Sequence, residues 1–140
     1  MESRLSLVLR NDLSELERMS EAVSAWCRGN AISATAEYQV NLALDEIVSN
    51  VIRHGWKDDG EHQLHVRISR LEDELRVEVE DDATPFNPLE APAPDVNLPL
   101  EERPVGGLGI HLVRQFMDGL EYRRQGARNC LVMKKKTTAV

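Results

Sequence analysis

The chain is predicted to fold as an α+β two-layer sandwich, a sheet with helices on one side. Three observations carry this. Residues 64–68 and 75–79 alternate apolar and polar side chains across a short acidic turn, the mark of an antiparallel hairpin with one wet face. Two longer upstream stretches repeat apolar residues at helical spacing. The succession of patterns then reads β-α-α-β-β-loop-α-β-β, with no repeat and no linker, so the whole of 1–140 is expected to be one domain.

Each element has its own signal. Leu5, Leu7 and Leu9 alternate as a first strand. Asp12 or Ser14 then caps a helix to about Arg28, with apolar positions at Leu13, Leu16, Met19, Val23 and Trp26 and a stop at Gly29. A longer helix covers Ala34 to His54 and ends at Gly55. Leu64, Val66 and Ile68 form one strand of the hairpin, and Leu75, Val77 and Val79 the other. His62 and His65 are expected on the wet face there. From Ala83 to Val105 periodicity vanishes, and all 6 prolines of the chain fall in this segment. A loop of that length in a compact domain is more often functional than neutral. "GLGIHLVRQFMDGL" resumes as a helix with Ile110, Val113 and Met117 on one side. "LEYRRQ", a turn at "GARN" and "CLVMKKK" close the chain as a second hairpin, with Lys134 to Lys136 read as a solvated strand end.

Composition excludes several classes of function. A net charge of -7 argues against a nucleic-acid surface and an anionic membrane partner. The 2 cysteines, Cys27 and Cys130, have no paired spacing, which fits neither a zinc site nor a disulfide framework. No apolar run reaches membrane-spanning length and no signal-peptide pattern opens the chain, so a cytoplasmic location is expected.

Three motifs carry candidate chemistry. In "LALDEIVSNVIRHG", Val40, Leu44, Ile47, Val48 and Val51 share the core stripe of the second helix. Glu46, Asn50 and His54 lie on its margin, while Asp45, Ser49 and Arg53 take the middle of the wet face. A carboxylate and an amide at i and i+4 can address one ligand together. An amide oxygen suits Mg²⁺, and a carboxylate can accept a proton from an attacking hydroxyl. In "VEVEDDATPFNP", Asp81 ends a strand where an exocyclic amine could be recognised, and Ala83 is small enough for a flat ring to approach. In "PVGGLGIHLV", three glycines lead into a helix N-terminus, a seat for phosphates. Taken singly, each has an ordinary structural explanation: a solvated helix edge, an aspartate opening a turn, a glycine hinge.

In this order and spacing the motifs resemble the GHKL (Bergerat-fold) ATPase superfamily, and within it the stand-alone bacterial anti-sigma-factor serine/threonine kinases. "LDEIVSNVIRHG", "EDDATPFNP" and "GGLGIHLVRQFMD" carry the resemblance, which spans about residues 5–136. It implies a mixed, mostly antiparallel sheet, with ATP and Mg²⁺ as cofactors. It places the general base at Glu46, the metal ligand at Asn50 and the adenine carboxylate at Asp81. Further nucleotide contacts are implied at Arg53, Ala83, Gly106, Gly107, Leu108 and Gly109, with an ATP lid over about 86–105. The implied activity is phosphorylation of an antagonist protein on Ser/Thr in a partner-switching system. The implied partners are an anti-anti-sigma-type (STAS-like) antagonist, a sigma factor and a second copy of the chain. A non-catalytic, ATP-gated binding module is the alternative. Three departures stand out. Ala83 replaces a glycine and Pro85 another, which stiffens the start of the lid. The late-strand threonine beside the adenine is missing, with Asn129 and Cys130 in its neighbourhood.

Overall fold

The computed structural model describes residues 3–90 and 107–137. Its elements follow the order β1 (Ser3–Arg10), α1 (Glu15–Gly29), α2 (Ala34–His54), β2 (Gln63–Leu71), β3 (Glu74–Asp81), α3 (Gly107–Phe116), β4 (Gly119–Gln125) and β5 (Arg128–Lys136). A short 3-10 turn at Pro88–Glu90 adds local order at the start of the segment expected to be irregular. The remainder of that loop, 91–106, lies outside the described residues.

The sheet has the order β1-β2-β3-β5-β4, and each of these pairs is antiparallel. The mixed sheet implied by the resemblance is therefore antiparallel at every described pairing. The reason is topological. β3 and β4 run in the same direction, linked through α3, but β5 turns back from β4 and inserts between them. That insertion sets Asp81 opposite Asn129, at the end of the sheet where α2 finishes and α3 begins.

Alternation sends Leu9, Leu64, Val66, Ile68, Leu75, Val77, Val79 and Met133 inward from the strands. They meet Met19, Val23 and Cys27 of α1, Val40, Leu44, Ile47 and Val48 of α2, and Val113 just before the end of α3. Burying each large aliphatic side chain contributes roughly 1.5–3 kcal/mol, so this layer dominates stability. The opposite face of the sheet carries ion pairs, across β2 and β3 at Arg67 and within β3 at Arg76. Arg67 reaches Glu78 at 3.3 Å and Glu80 at 2.7 Å, and Arg76 reaches Glu78 at 2.8 Å. The helices thus lie on one face only, as the alternation requires.

Helix ends are fixed by local chemistry. The Ser33 hydroxyl accepts from Ala36 N at 3.1 Å and caps α2. Ser14 precedes α1 without a side-chain cap; instead Asp12 Oδ1 accepts from Ser14 N at 2.9 Å. Glu15 does the tying of α1 to β1: its carboxylate accepts from Arg18 Nη2 at 2.8 Å and from Arg10 N at 3.0 Å. These two contacts, the Arg18 hydrogen bond foremost, hold its pKa down at about 2. Gly29 does not stop α1 but belongs to it; the left-handed residue is Ala31, with φ 56°. That turn lets Ile32 bury its side chain while its N–H donates to Cys27 O at 2.9 Å.

Several expected positions are corrected. Leu13, expected on the apolar side of α1, precedes the helix and is exposed. Ser49, expected mid-way across the wet face, is buried, and its hydroxyl donates to Glu46 O at 3.2 Å. A small side chain whose hydroxyl bonds back to a carbonyl of its own helix can be buried without leaving a polar atom unpaired. His62 is not on a strand face; it stacks on Trp56 with ring centroids 4.7 Å apart and pairs with Asp58 at 2.7 Å. Lys135 is not free in solvent, because its Nζ donates to Phe116 O at 2.9 Å and so caps the C-terminal end of α3.

Candidate functional site

A cavity of about 290 Å³ opens at the sheet end where α2, β3 and β5 converge. Its helical wall is Ile47, Asn50, Val51, His54 and Gly55. Its floor is Val79, Asp81, Tyr122, Asn129 and Leu131, and Ala83 to Phe86 with Pro88 form the rim. The volume lies at the lower end of small-molecule sites, roughly 300–1,000 Å³, and suits a flat heterocycle whose remaining parts stay outside. Aliphatic side chains above and below, with a carboxylate at one end, are what such a ring with an exocyclic amine requires.

Asp81 is that carboxylate. It is only 3% exposed, and burial raises its pKa; the Asn129 and Ala83 hydrogen bonds pull the other way. Its Oδ1 accepts from Ala83 N and from Asn129 Nδ2, each at 2.9 Å. No described residue bonds Oδ2, which leaves that oxygen for a ligand.

Ala83 is buried and packs against Gly55, where a Cβ would meet the Ala83 methyl at 2.8 Å and Val51 O at 2.6 Å. Thr84 N donates to Gly55 O at 2.9 Å, so the strand exit and the end of α2 are locked together. Gly55, read from the sequence only as a helix stop, is a close-approach glycine.

The second cluster lies along α2. Asn50 Nδ2 donates to Glu46 Oε1 at 3.1 Å, which fixes the amide with its oxygen turned away from the carboxylate. A Cβ on Gly109 would lie 1.9 Å from the Glu46 carboxyl carbon. The carboxylate therefore occupies the space that a side chain at position 109 would fill, directly beside the first turn of α3. Gly107 and Leu108 open that turn, and Gly106 lies outside the described residues. Arg53 is exposed and is not part of the cavity wall. Of the expected site residues, the cavity gathers Asn50, Asp81 and Ala83, while Glu46 and Gly109 meet beside it.

No group of three or more His, Cys, Asp or Glu side chains able to hold a metal occurs among the described residues. A cation that brings phosphate oxygens and water as its other ligands needs little more than one neutral protein oxygen, and Asn50 Oδ1 fits that need.

Tyr122, which lines the cavity, and Arg124, which supports its rim, were not singled out by sequence reasoning; Asn129 was named only as a departure from the expected threonine. Arg124 Nη1 donates to Ala83 O at 2.9 Å, and Asn129 bonds the same carbonyl at 3.2 Å. The one sequence signal was Asn129 itself, standing where a hydroxyl was expected.

The apolar cavity closed by one carboxylate, beside a helix N-terminus and an acid–amide pair, defines a nucleotide-binding domain of the ATPase type. Residues 9–135 match the histidine kinase-like ATPase domain, and the chain belongs to that family. It is 26% identical over 101 residues to the serine/threonine-protein kinase BtrW of Bordetella bronchiseptica, covering 72% of this chain and 71% of that one. It is 31% identical over 98 residues to an anti-sigma F factor of Clostridium perfringens, covering 69% and 70%. Among solved structures, the RsbU and RsbW domains of a Mycobacterium tuberculosis protein align with a TM-score of 0.68 at 12% identity. That alignment covers 96% of this chain and 32% of the other, and supports the fold. A histidine kinase domain from Erythrobacter litoralis aligns with a TM-score of 0.56 at 19% identity, over 89% and 60% of the two chains. No described helix is long and apolar enough to cross a membrane.

Proposed function

We propose that this chain is an ATP-dependent protein serine/threonine kinase of the anti-sigma-factor type, acting on an antagonist protein in a partner-switching system. The observation that carries it is the Glu46 carboxylate, held by Asn50 and pressed against the Cβ-less Gly109 where α3 begins. A carboxylate so placed lies between a nucleobase cavity and a phosphate seat. The names of the serine/threonine kinase and anti-sigma relatives support the same reading.

Asp81 Oδ2 accepts from the exocyclic amine of adenine, and Ile47, Val51, Val79 and Leu131 enclose the ring. Asn50 Oδ1 would hold Mg²⁺; the ion, when bound, supplies charge neutralisation for the phosphate oxygens. The backbone N–H groups at the start of α3, including those of Gly107, Leu108 and Gly109, face the phosphates and stabilise charge that develops during transfer. Gly106, Ala83 and Arg53 complete the proposed nucleotide contacts, and residues 86–105 the lid. Glu46 Oε1 is taken by Asn50, so Oε2 is the oxygen that accepts the proton of the attacking serine or threonine hydroxyl. The antagonist is a STAS-like protein, the second partner a sigma factor, and the working unit a homodimer in one domain per chain.

Calorimetric titration of ATP with and without Mg²⁺ tests the site. Wild type should bind with Mg²⁺ dependence that Asn50→Ala loses. Glu46→Ala should bind ATP near normally and lose phosphate transfer to the antagonist. Transfer at the wild-type rate by Glu46→Ala would sink the assignment of Glu46 as the base, whereas ATP binding by a wild type that never transfers phosphate would leave only an ATP-gated binding module.

A further inference from the structure

Asn129 stands on β5 directly opposite Asp81 and is buried. Its Nδ2 lies 2.9 Å from Asp81 Oδ1, 3.2 Å from Ala83 O and 3.1 Å from Thr84 O. Its Oδ1 accepts from the Tyr122 hydroxyl. Three acceptors surround the nitrogen and a donor meets the oxygen, so the amide has one sensible orientation; turned over, it would set oxygen against oxygen three times. One side chain thus holds the ligand carboxylate, both carbonyls of the turn that follows it, and the neighbouring strand.

We infer that Asn129 is the positioning residue of the nucleobase site: its amide fixes Asp81 so that Oδ2 alone faces the cavity as a pure acceptor. This rests on the ATP-binding reading above. A fixed acceptor favours a ring that presents an amine at that point and opposes one that presents a carbonyl oxygen, because two acceptors would then face each other without a proton between them. Asp81 therefore selects a 6-aminopurine over a 6-oxopurine only while it is both oriented and ionised. Asn129 supplies both conditions, since its N–H orients the carboxylate and stabilises its charge. The other charged or titratable groups facing Asp81 are Asp82 beside it, which opposes its ionisation, Arg124 on β4, which favours it, His54 across the cavity on α2, and the Tyr122 hydroxyl. The same amide and Arg124 hold the 81–84 turn through its carbonyls, at a point where the sequence has no glycine to shape it.

The test is equilibrium titration of MgATP and MgGTP into full-length wild type, Asn129→Ala and Asn129→Thr between about pH 5.5 and 8.5, with thermal melting of each variant alongside. Asn129→Ala should weaken ATP binding about tenfold, the order expected when a charge-assisted hydrogen bond is lost. It should also shrink the ATP-over-GTP preference and move the acid-side loss of binding to higher pH. Asn129→Thr keeps one donor toward Asp81 and should recover most of the affinity and the wild-type pH profile. A purely structural role would lower the melting temperature and weaken both nucleotides equally without moving the pH profile. That pattern overturns the inference, as does an Asn129→Ala variant with unchanged selectivity and pH profile. Should Asn129→Ala fail to fold, Asn129→Thr decides alone: loss of selectivity in a folded protein that retains this donor overturns the inference. Wild type that binds neither nucleotide overturns the ATP-binding reading itself, and this inference with it.

Discussion

Gly109→Ala offers a way to move the proposed base without touching it. A Cβ at that position would lie 1.9 Å from the Glu46 carboxyl carbon, 2.0 Å from Oε1 and 2.4 Å from Oε2. Ordinary carbon–carbon contact is about 3.5 Å or more, so the carboxyl group must retreat by roughly 1.5 Å. Retreat is easier for Glu46 than for the helix backbone, because the carboxylate is the free end of a flexible side chain. It then loses the 3.1 Å bond from Asn50 Nδ2. A displacement of about 1 Å in a reacting group costs on the order of 10²-fold in rate. Transfer to the antagonist, read as ADP formed under saturating ATP, should therefore fall about a hundredfold or more. The fold should not suffer, since alanine is the better helix former by up to about 1 kcal/mol. ATP affinity should change little, because every backbone N–H of the first turn remains. Transfer within about threefold of wild type would refute the placement of Glu46 as the base. Reduced transfer together with a collapsed melting temperature would refute the claim that the side chain, not the helix, gives way.

Three further outcomes follow from the same geometry. Asp81→Asn removes a charge whose pKa burial raises, so the folded wild type loses stability as pH rises from the unfolded value of 3.8 through the raised one, and the variant does not. Its melting temperature at neutral pH should equal or exceed wild type while ATP affinity falls at least about tenfold, by calorimetry. Gly55→Ala sets a methyl 2.6 Å from Val51 O and 2.8 Å from the Ala83 Cβ, and neither backbone nor buried alanine can yield. The expected cost is about 1–3 kcal/mol in denaturant unfolding, with weaker ATP binding as the rim moves away from α2. Glu15→Gln should reveal the acid-side linkage: the depressed carboxyl, at about 2, contributes stability above the unfolded value of 4.5 that is lost as pH falls toward 2. The melting difference between variant and wild type should be present at pH 7 and vanish near pH 2; a difference independent of pH would place the effect elsewhere.

The strands, helices and chain order were legible because each rests on local periodicity. Alternation at Leu64–Ile68 and Leu75–Val79 needs no partner to be read, and α2 runs from Ala34 to His54 as its pattern requires. The polar margin of α2 was equally legible at Glu46 and Asn50. What periodicity could not provide was contact across the fold. Ser49 is buried although it lies on the polar arc of α2, His62 leaves the strand face for Trp56, and Lys135 turns back to Phe116. Asn129 is the clearest case. Its residue type registered as a departure, but its use depends on β5 lying beside β3, which no local pattern encodes.

That adjacency also says when the nucleotide site comes into being. Asp81 and Asn129 are 48 residues apart in the chain yet share a hydrogen bond, so closing their loop is among the slower, entropically costly steps of folding. Until β5 has threaded between β3 and β4, the carboxylate has no amide to hold it and the cavity lacks the Asn129 and Leu131 part of its floor. A chain still emerging from the ribosome can form the β2–β3 hairpin and α2 but not the site. Nucleotide binding is therefore a property of the finished domain alone, and added ATP should slow unfolding without hastening the early stages of refolding.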